Sequence, residues 1–229
     1  HIPDVDFLEE LYEFSTVRLA PNGIREATIR FQTGVAQGSP LSPTLFLIFI
    51  NTLARLLSEV GKAENIEHGI EGVPGFNNVF FADDMSLFAR TEQELQRLLN
   101  ITQDFEAWSG IKLNLTKTIM MSVDGVKKRR GDVGHVHYRG RRVPVLPEDK
   151  PCRYLGFYAT ANGDFKETKN RILQRTKELV ESIRHHPFTP EIATEIFISQ
   201  AVGLFRYSAA IVDWSQQELQ DLRVQWGRG

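Results

Sequence analysis

The 229-residue sequence predicts an α+β protein, with a mixed region of helices and strands up to about residue 160 and a small helical region after it. Three observations carry this. Short strand-like runs recur through the first two thirds, among them Asn78-Val-Phe-Phe-Ala82 and Met85-Ser-Leu-Phe-Ala89. A long apolar helix interrupts them, opening at Ser42-Pro43 with the serine as N-cap and the proline at the first helical position. The last third holds three helix starts instead, at Asp164-x-x-Glu167, Thr189-Pro190-Glu191 and Ser215-x-x-Glu218.

In chain order, Pro3 to Phe14 reads as a short helix with Phe7, Leu8, Leu11 and Tyr12 at helical spacing. Thr16–Leu19 and Glu26–Phe31 are strand-like runs about a Pro21-Asn22-Gly23 turn. The apolar positions of the helix from Ser42 (Leu45, Phe46, Ile48, Phe49, Leu53, Leu56, Leu57) wrap most of its circumference, which predicts burial on several sides. A glycine-rich loop over 69–77 follows, then the two runs that meet at Asp83-Asp84. Thr91-x-x-Glu94 is a capping box opening a helix that Gly110 closes. Strand-like pieces recur at Thr118–Val123, Val133–Arg139, Arg142–Leu146 and Arg153–Ala159, and helices fill roughly 165–186, 190–211 and 216–226.

A hydrophobic fraction of 41% and a charged fraction of 24% are those of an ordinary folded domain. The longest apolar run, Leu45 to Leu57, is interrupted by Asn51, Thr52 and Arg55, so no membrane span is expected. The single cysteine, Cys152, excludes an internal disulfide and a cysteine-rich metal site, and it points to a reducing compartment. A net charge of −2 argues against a uniformly basic nucleic-acid binder. The distribution says more. Residues 117–142 carry Lys117, Lys127, Lys128, Arg129, Arg130, Arg139, Arg141 and Arg142 against only Asp124 and Asp132. Such a stretch is either a phosphate-binding surface or a solvated hairpin.

Two segments break local consistency. Asp83-Asp84 puts adjacent carboxylates, which repel each other, between two apolar strands. A cation would offset that charge; the alternative is a plain turn, although aspartate-rich turns usually include Gly or Asn and here Met85 follows. Gly34-Val-Ala-Gln37-Gly38-Ser39-Pro40-Leu-Ser42-Pro43 combines two glycines, which permit close backbone approach, with two prolines that stiffen the turn. By itself it could be a strand-to-helix loop.

Together these segments resemble the reverse-transcriptase family. Gly-Val-x-Gln-Gly-Ser-Pro-Leu-Ser-Pro, a long apolar helix, and Phe-Ala-Asp-Asp about forty residues on occur in the family's order, and the Phe-Ala-Asp-Asp form is similar to the non-LTR (LINE-type) retrotransposon branch. Gly110-Ile-Lys-Leu-Asn-Leu-Thr-Lys117-Thr118 resembles the next motif, and Tyr154-Leu155-Gly156-Phe157 resembles the primer-grip hairpin. A group II intron maturase is the weaker match, because those more often carry Tyr before Ala-Asp-Asp, where this chain has Phe81.

The resemblance implies a polymerase right-hand palm, an antiparallel sheet packed on helices, over 1–160 with the primer-grip hairpin, and a helical thumb over 161–229. It implies an RNA-directed DNA polymerase acting on an RNA template, a DNA primer and dNTPs with two Mg²⁺ ions, for which Mn²⁺ is a substitute. Asp83 is then a ligand of both ions and Asp84 a secondary ligand or electrostatic support. Gln37 and Gly38, with Ser39 and Pro40, lie against template and nucleotide, where a side chain at Gly38 would clash. Lys117 lies near the triphosphate, and Tyr154, Leu155 and Gly156 hold the primer end; the bland alternatives are a surface lysine and a buried strand. Lys127, Lys128, Arg129, Arg130, Lys166 and Lys169 follow the duplex backbone.

The family's first metal-binding aspartate, and its fingers, belong upstream of the segment corresponding to His1–Phe14, so an upstream part of a polyprotein is an expected partner. Asp4 and Asp6 read as helix-start residues rather than replacements. The alternative function is a catalytically inactive retroelement remnant that binds nucleic acid. The retrotransposon analogy places the protein inside the cell, in the nucleus.

Overall fold

A computed structural model describes residues 3–13, 16–19, 27–30, 34–66, 68–70, 73–122 and 135–227. The fold is α+β, and the chain divides into two compact units, His1–Lys112 and Leu113–Gly229. The expected palm–thumb boundary at 160/161 therefore falls inside the second unit. Within the described residues the strands pair as separate antiparallel hairpins rather than as one continuous sheet.

The first unit opens with helix α1 (Pro3–Glu13) and the hairpin β1 (Thr16–Leu19) and β2 (Ala27–Arg30), paired from Thr16↔Arg30 to Leu19↔Ala27. The Pro21-Asn22-Gly23 turn lies outside the described residues. Helix α2 (Ser42–Glu64) buries Ile50, Leu53, Leu57 and Gly61, spaced three and four apart. The expectation of burial on several sides is thus corrected to a single stripe. Helix α3 (Glu92–Ser109) and the β5–β6 hairpin (Asn78–Phe81, Asp84–Leu87) pack on that stripe, while Leu47, Ile48 and Leu56 stay exposed. By length and composition α2 is apolar enough to cross a membrane, contrary to the run-by-run reading. Its buried stripe packs into the core with Leu98, Phe105 and Ile66.

The segment expected as a glycine-rich loop is instead a hairpin, β3 (His68–Ile70) with β4 (Val73–Phe76), whose register shifts once. Helix α3 starts as its sequence predicts: the Glu94 N–H donates to Thr91 Oγ1 (3.1 Å) and Glu94 Oε2 accepts from the Arg90 N–H (2.8 Å). Gly110, at φ 77°, closes it.

In the second unit, the described residues of the run Thr118–Val123 hold one isolated bridge, Met120 to Val145, and those of the next two runs hold β7 (His137–Tyr138) and β8, which starts one residue early (Arg141–Arg142). Arg153–Ala159 forms the hairpin β9 (Cys152–Tyr154) and β10 (Phe157–Ala159). Helix α4 (Lys166–His185) buries Thr168, Ile172, Thr176 and Val180, one residue per turn. The helix expected over 190–211 is α5 (Pro190–Phe197), a π-helical stretch Ile198–Val202, and α6 (Gly203–Ala209). Helix α7 (Gln216–Gly227) starts with a reciprocal box, Glu218 N–H to Ser215 Oγ at 3.3 Å and Ser215 N–H to Glu218 Oε2 at 2.7 Å.

Candidate active site

The β5–β6 hairpin presents the acidic pair. Phe80 lies opposite Met85 and Asn78 opposite Leu87, and the inward side chains Phe80, Met85 and Leu87 pack on the core. Alternation along a strand then turns Phe81 and Asp84, another opposed pair, outward. Ala82 and Asp83 make the two-residue turn, and both aspartates are exposed. Ala82 has φ 51°, a left-handed conformation that costs an L residue about 1–2 kcal/mol. Strain of this kind is tolerated only where the flanking structure enforces it.

The enforcement comes from the base of the hairpin. Asn77 is buried and its Nδ2 donates to the Leu57 carbonyl of α2 (2.7 Å), while its own carbonyl accepts from the Phe88 N–H (2.9 Å). Asn78 Nδ2 donates to Ser58 Oγ (3.1 Å). Gly61 makes room for this, because a Cβ there would collide with the Asn77 amide and press on the Ile66 carbonyl. Sequence reasoning missed Asn77 and Gly61. The only signal was a glycine in the interior of a helix.

The loop before α2 is built to hold Gln37 and Gly38 outward. Gly34 (φ 87°) and Gly38 (φ 89°) both need the left-handed region. A Cβ on Gly38 would meet no atom within 4 Å of this chain, so within the protein the glycine answers a backbone requirement. Gln37, Gly38 and Pro40 are exposed and Ser39 is half-buried. Ser42 does not cap α2 as expected. Leu41 occupies the N-cap, and the buried Ser42 Oγ points back to donate to the Ala36 carbonyl (2.6 Å). That hydrogen bond ties the first turn of α2 to the loop.

Those residues lie in the first unit; the remaining candidates lie in the second. Lys117 is exposed and ends a turn in which Asn114 Oδ1 accepts from the Thr116 N–H (3.1 Å) and the Asn114 carbonyl accepts from the Lys117 N–H (3.0 Å). Tyr154, Leu155 and Gly156 form the β9–β10 turn, with Leu155 at φ 47° and Gly156 at φ 86°. Lys127, Lys128, Arg129 and Arg130 lie outside the described residues. Lys166 is exposed at the start of α4. Lys169 is engaged: its Nζ pairs with Glu218 at 2.9 Å and lies 5.6 Å from the Trp214 ring centre. That ammonium, with the Ser215 N–H, holds the Glu218 carboxyl below the usual carboxylate range.

The oxygens of Asp83 and Asp84 are the hard donors a magnesium ion takes, and both are open to solvent. Among the described residues no group of three or more acidic, His or Cys side chains gathers there. The pair fits as part of a coordination set completed by substrate phosphates or further carboxylates.

The pattern of the family described as reverse transcriptase (RNA-dependent DNA polymerase) matches residues 3–159. The chain is 35% identical over 163 residues to the retrovirus-related Pol polyprotein of the type-2 retrotransposable element R2DM of Drosophila melanogaster, which covers 69% of this chain and 15% of that protein. It is 31% identical over 181 residues to the Pol polyprotein of a type-1 retrotransposable element R2 of Popillia japonica, covering 77% of this chain and 24% of the relative. The chain thus spans a minor part of the length of these relatives. With its Asp83-Asp84 hairpin and Gln37-Gly38 loop inside the matched region, it belongs to the reverse transcriptase family and is homologous to the Pol polyproteins of R2 non-LTR retrotransposons.

Proposed function

We propose that this chain is the palm (to residue 160) and thumb (161–229) portion of an RNA-directed DNA polymerase that extends a DNA primer on an RNA template. The observation that carries the reading is the exposed Asp83-Asp84 pair at the tip of a hairpin whose other face is built into the core. Carboxylates fixed at a rigid, solvent-facing edge suit a reaction in which charge on phosphate oxygens must be neutralised.

Asp83 and Asp84 would hold divalent metal, Mg²⁺ or Mn²⁺, which when bound activates a 3′-hydroxyl and neutralises the leaving pyrophosphate. Further carboxylates would come from other parts of a longer polypeptide, in keeping with the greater length of the relatives. Gln37 and Gly38 would face template and nucleotide, with the exposed loop leaving the Gly38 backbone open to close approach. Lys117 would neutralise triphosphate charge, and the Tyr154-Leu155-Gly156 turn would seat the primer end. Lys166 would follow the duplex backbone; Lys169 would do so by exchanging Glu218 for a phosphate.

The test is primer extension on an RNA template with Mg²⁺ and dNTPs, alongside an Asp83→Asn variant and a binding assay with the same primer–template. Extension lost in the variant supports the polymerase. Binding without extension, in Mg²⁺ or Mn²⁺, supports either a polymerase portion that needs further carboxylates from a longer polypeptide or the second reading, a nucleic-acid-binding module. Among the described residues no group of three or more acidic, His or Cys side chains gathers at the turn.

A further inference from the structure

The β9–β10 turn has an unusual composition for its shape. Two central residues with positive φ make the tight connection that matches strand twist, and Asn-Gly or Asp-Gly are the pairs that adopt it readily. Here the pair is Leu155-Gly156, and Leu155, at φ 47°, has no polar side chain to stabilise the left-handed conformation. Something outside the hairpin must hold it.

Two helices do so. The Tyr207 hydroxyl, on α6, donates to the Leu155 carbonyl at 2.6 Å. Its ring stacks on Phe157, the residue after the turn, with centroids 4.8 Å apart and planes 18° apart. A Cβ on Gly156 would stand 3.4 Å from the same ring, so the aromatic edge lies against the turn backbone. From the other side, the buried Thr168 of α4 takes both free backbone groups of Tyr158, accepting its N–H at 2.6 Å and donating to its carbonyl at 2.9 Å. Among the described residues, Thr168 fixes the strand and Tyr207 fixes the tip.

We propose that Tyr207 is a positioning residue for the primer end: it keeps Leu155 in its left-handed conformation and thereby sets the orientation of the exposed Tyr154 and of the Gly156 backbone. This rests on the polymerase reading of the Tyr154–Phe157 turn. Tyr207 keeps more than half its surface open and stacks through one face, so losing the hydroxyl leaves the ring packing in place.

The experiment uses the full chain, as wild type, Tyr207→Phe and Tyr207→Leu. Amide hydrogen exchange reads the turn, and fluorescence anisotropy compares a DNA primer recessed on an RNA template with a blunt duplex of the same length. In Tyr207→Phe the Gly156 and Phe157 amides should exchange roughly five- to tenfold faster, with amides of α4 and the melting temperature unchanged. Adding Leu155→Asn, which favours the left-handed region, should return the exchange rates toward wild type. Affinity for the recessed primer should fall several-fold in Tyr207→Phe and further in Tyr207→Leu, while blunt-duplex affinity holds. A merely structural tyrosine would lower both affinities together. Unchanged exchange in Tyr207→Phe, or faster exchange with an unchanged recessed-to-blunt ratio, overturns the positioning role alone. A wild-type chain that binds no primer–template overturns the polymerase reading and the positioning role with it, and the wild-type arm tells the two failures apart.

Discussion

The β5–β6 and β9–β10 hairpins are both short, and both turn through a non-glycine residue with positive φ, Ala82 in one and Leu155 in the other. They are held at opposite ends. Asn77 ties the base of the first to α2, and the tip that carries Asp83 is left exposed. Tyr207 binds the tip of the second to α6. The difference matches the two tasks proposed for them. A carboxylate that takes up metal together with substrate needs open space around its oxygens, so its support must come from behind. A turn that seats a primer end needs a fixed backbone, so its support comes at the point of use.

The largest effect expected is on chemistry at the open tip. Asp83→Asn should reduce primer extension by on the order of 10²–10³-fold or more while leaving primer–template affinity within a few-fold, measured by single-turnover extension beside anisotropy. Equal losses in both assays would mean that the tip is a binding element like the second turn.

Next comes support from behind. Asn77→Ala removes a buried hydrogen bond and should cost about 1–3 kcal/mol in urea denaturation, and Gly61→Ala should cost a similar amount through overpacking against Asn77. The two should not add. With Asn77 already truncated, most of the Gly61→Ala cost should vanish, since the amide it collides with is gone. Strict additivity would show that the base is not where this hairpin is anchored.

Strain at the first tip predicts a smaller effect of the opposite sign. Ala82→Gly should stabilise the first unit by about 0.5–1 kcal/mol, since glycine adopts φ 51° without the Cβ penalty and loses part of that gain to chain entropy. A destabilised variant would mean that Ala82 carries no strain.

The smallest effect concerns the helices behind the second hairpin. Glu218 has its pKa lowered from the ordinary 4.5, chiefly by the hydrogen bond from Lys169 and then by the Ser215 N–H. A depressed carboxylate contributes its stability above the ordinary value and loses it as pH falls through the folded one. Glu218→Gln should therefore cost about 1 kcal/mol at neutral pH, and the gap should close below pH 4.5, as read from thermal melts across that range. A gap that persists in acid would show that the loss does not come from the charged pair.

What the sequence made legible is what is encoded within a turn of helix. Thr91-x-x-Glu94 and Ser215-x-x-Glu218 start helices because a hydroxyl and a carboxylate three residues apart reach backbone amides at the helix start, Glu94 that of Arg90 and Glu218 that of Ser215. The acidic pair stood out because it conflicts with its own neighbours, and conflicts mark function. The supports behind those features were not legible. Asn77 meets Leu57 across 20 residues and Tyr207 meets Leu155 across 52, and neither has a local motif. Ser42 misled because serine before proline is a frequent cap, and only the folded structure shows that helical winding starts one residue earlier, with Leu41 at the N-cap. The apolar positions of α2 likewise suggested burial on several sides, yet packing by α3 and one hairpin selects a single stripe.

The π-helical stretch at Ile198–Val202 sits between α5 and the residue that binds the second tip. A wider turn of this kind absorbs one extra residue and so keeps everything after it near the angular phase of a regular helix. Deleting one residue from the regular helix between that stretch and Tyr207 would have no such bulge to absorb it and would swing Tyr207 by about 100° around the helix axis, away from Leu155. Exposed side chains in this stretch can therefore vary in type, but the buried Ala201 and the number of residues ahead of Tyr207 cannot. Insertions and deletions ahead of Tyr207, more than substitutions at exposed positions, are the changes this helix should resist.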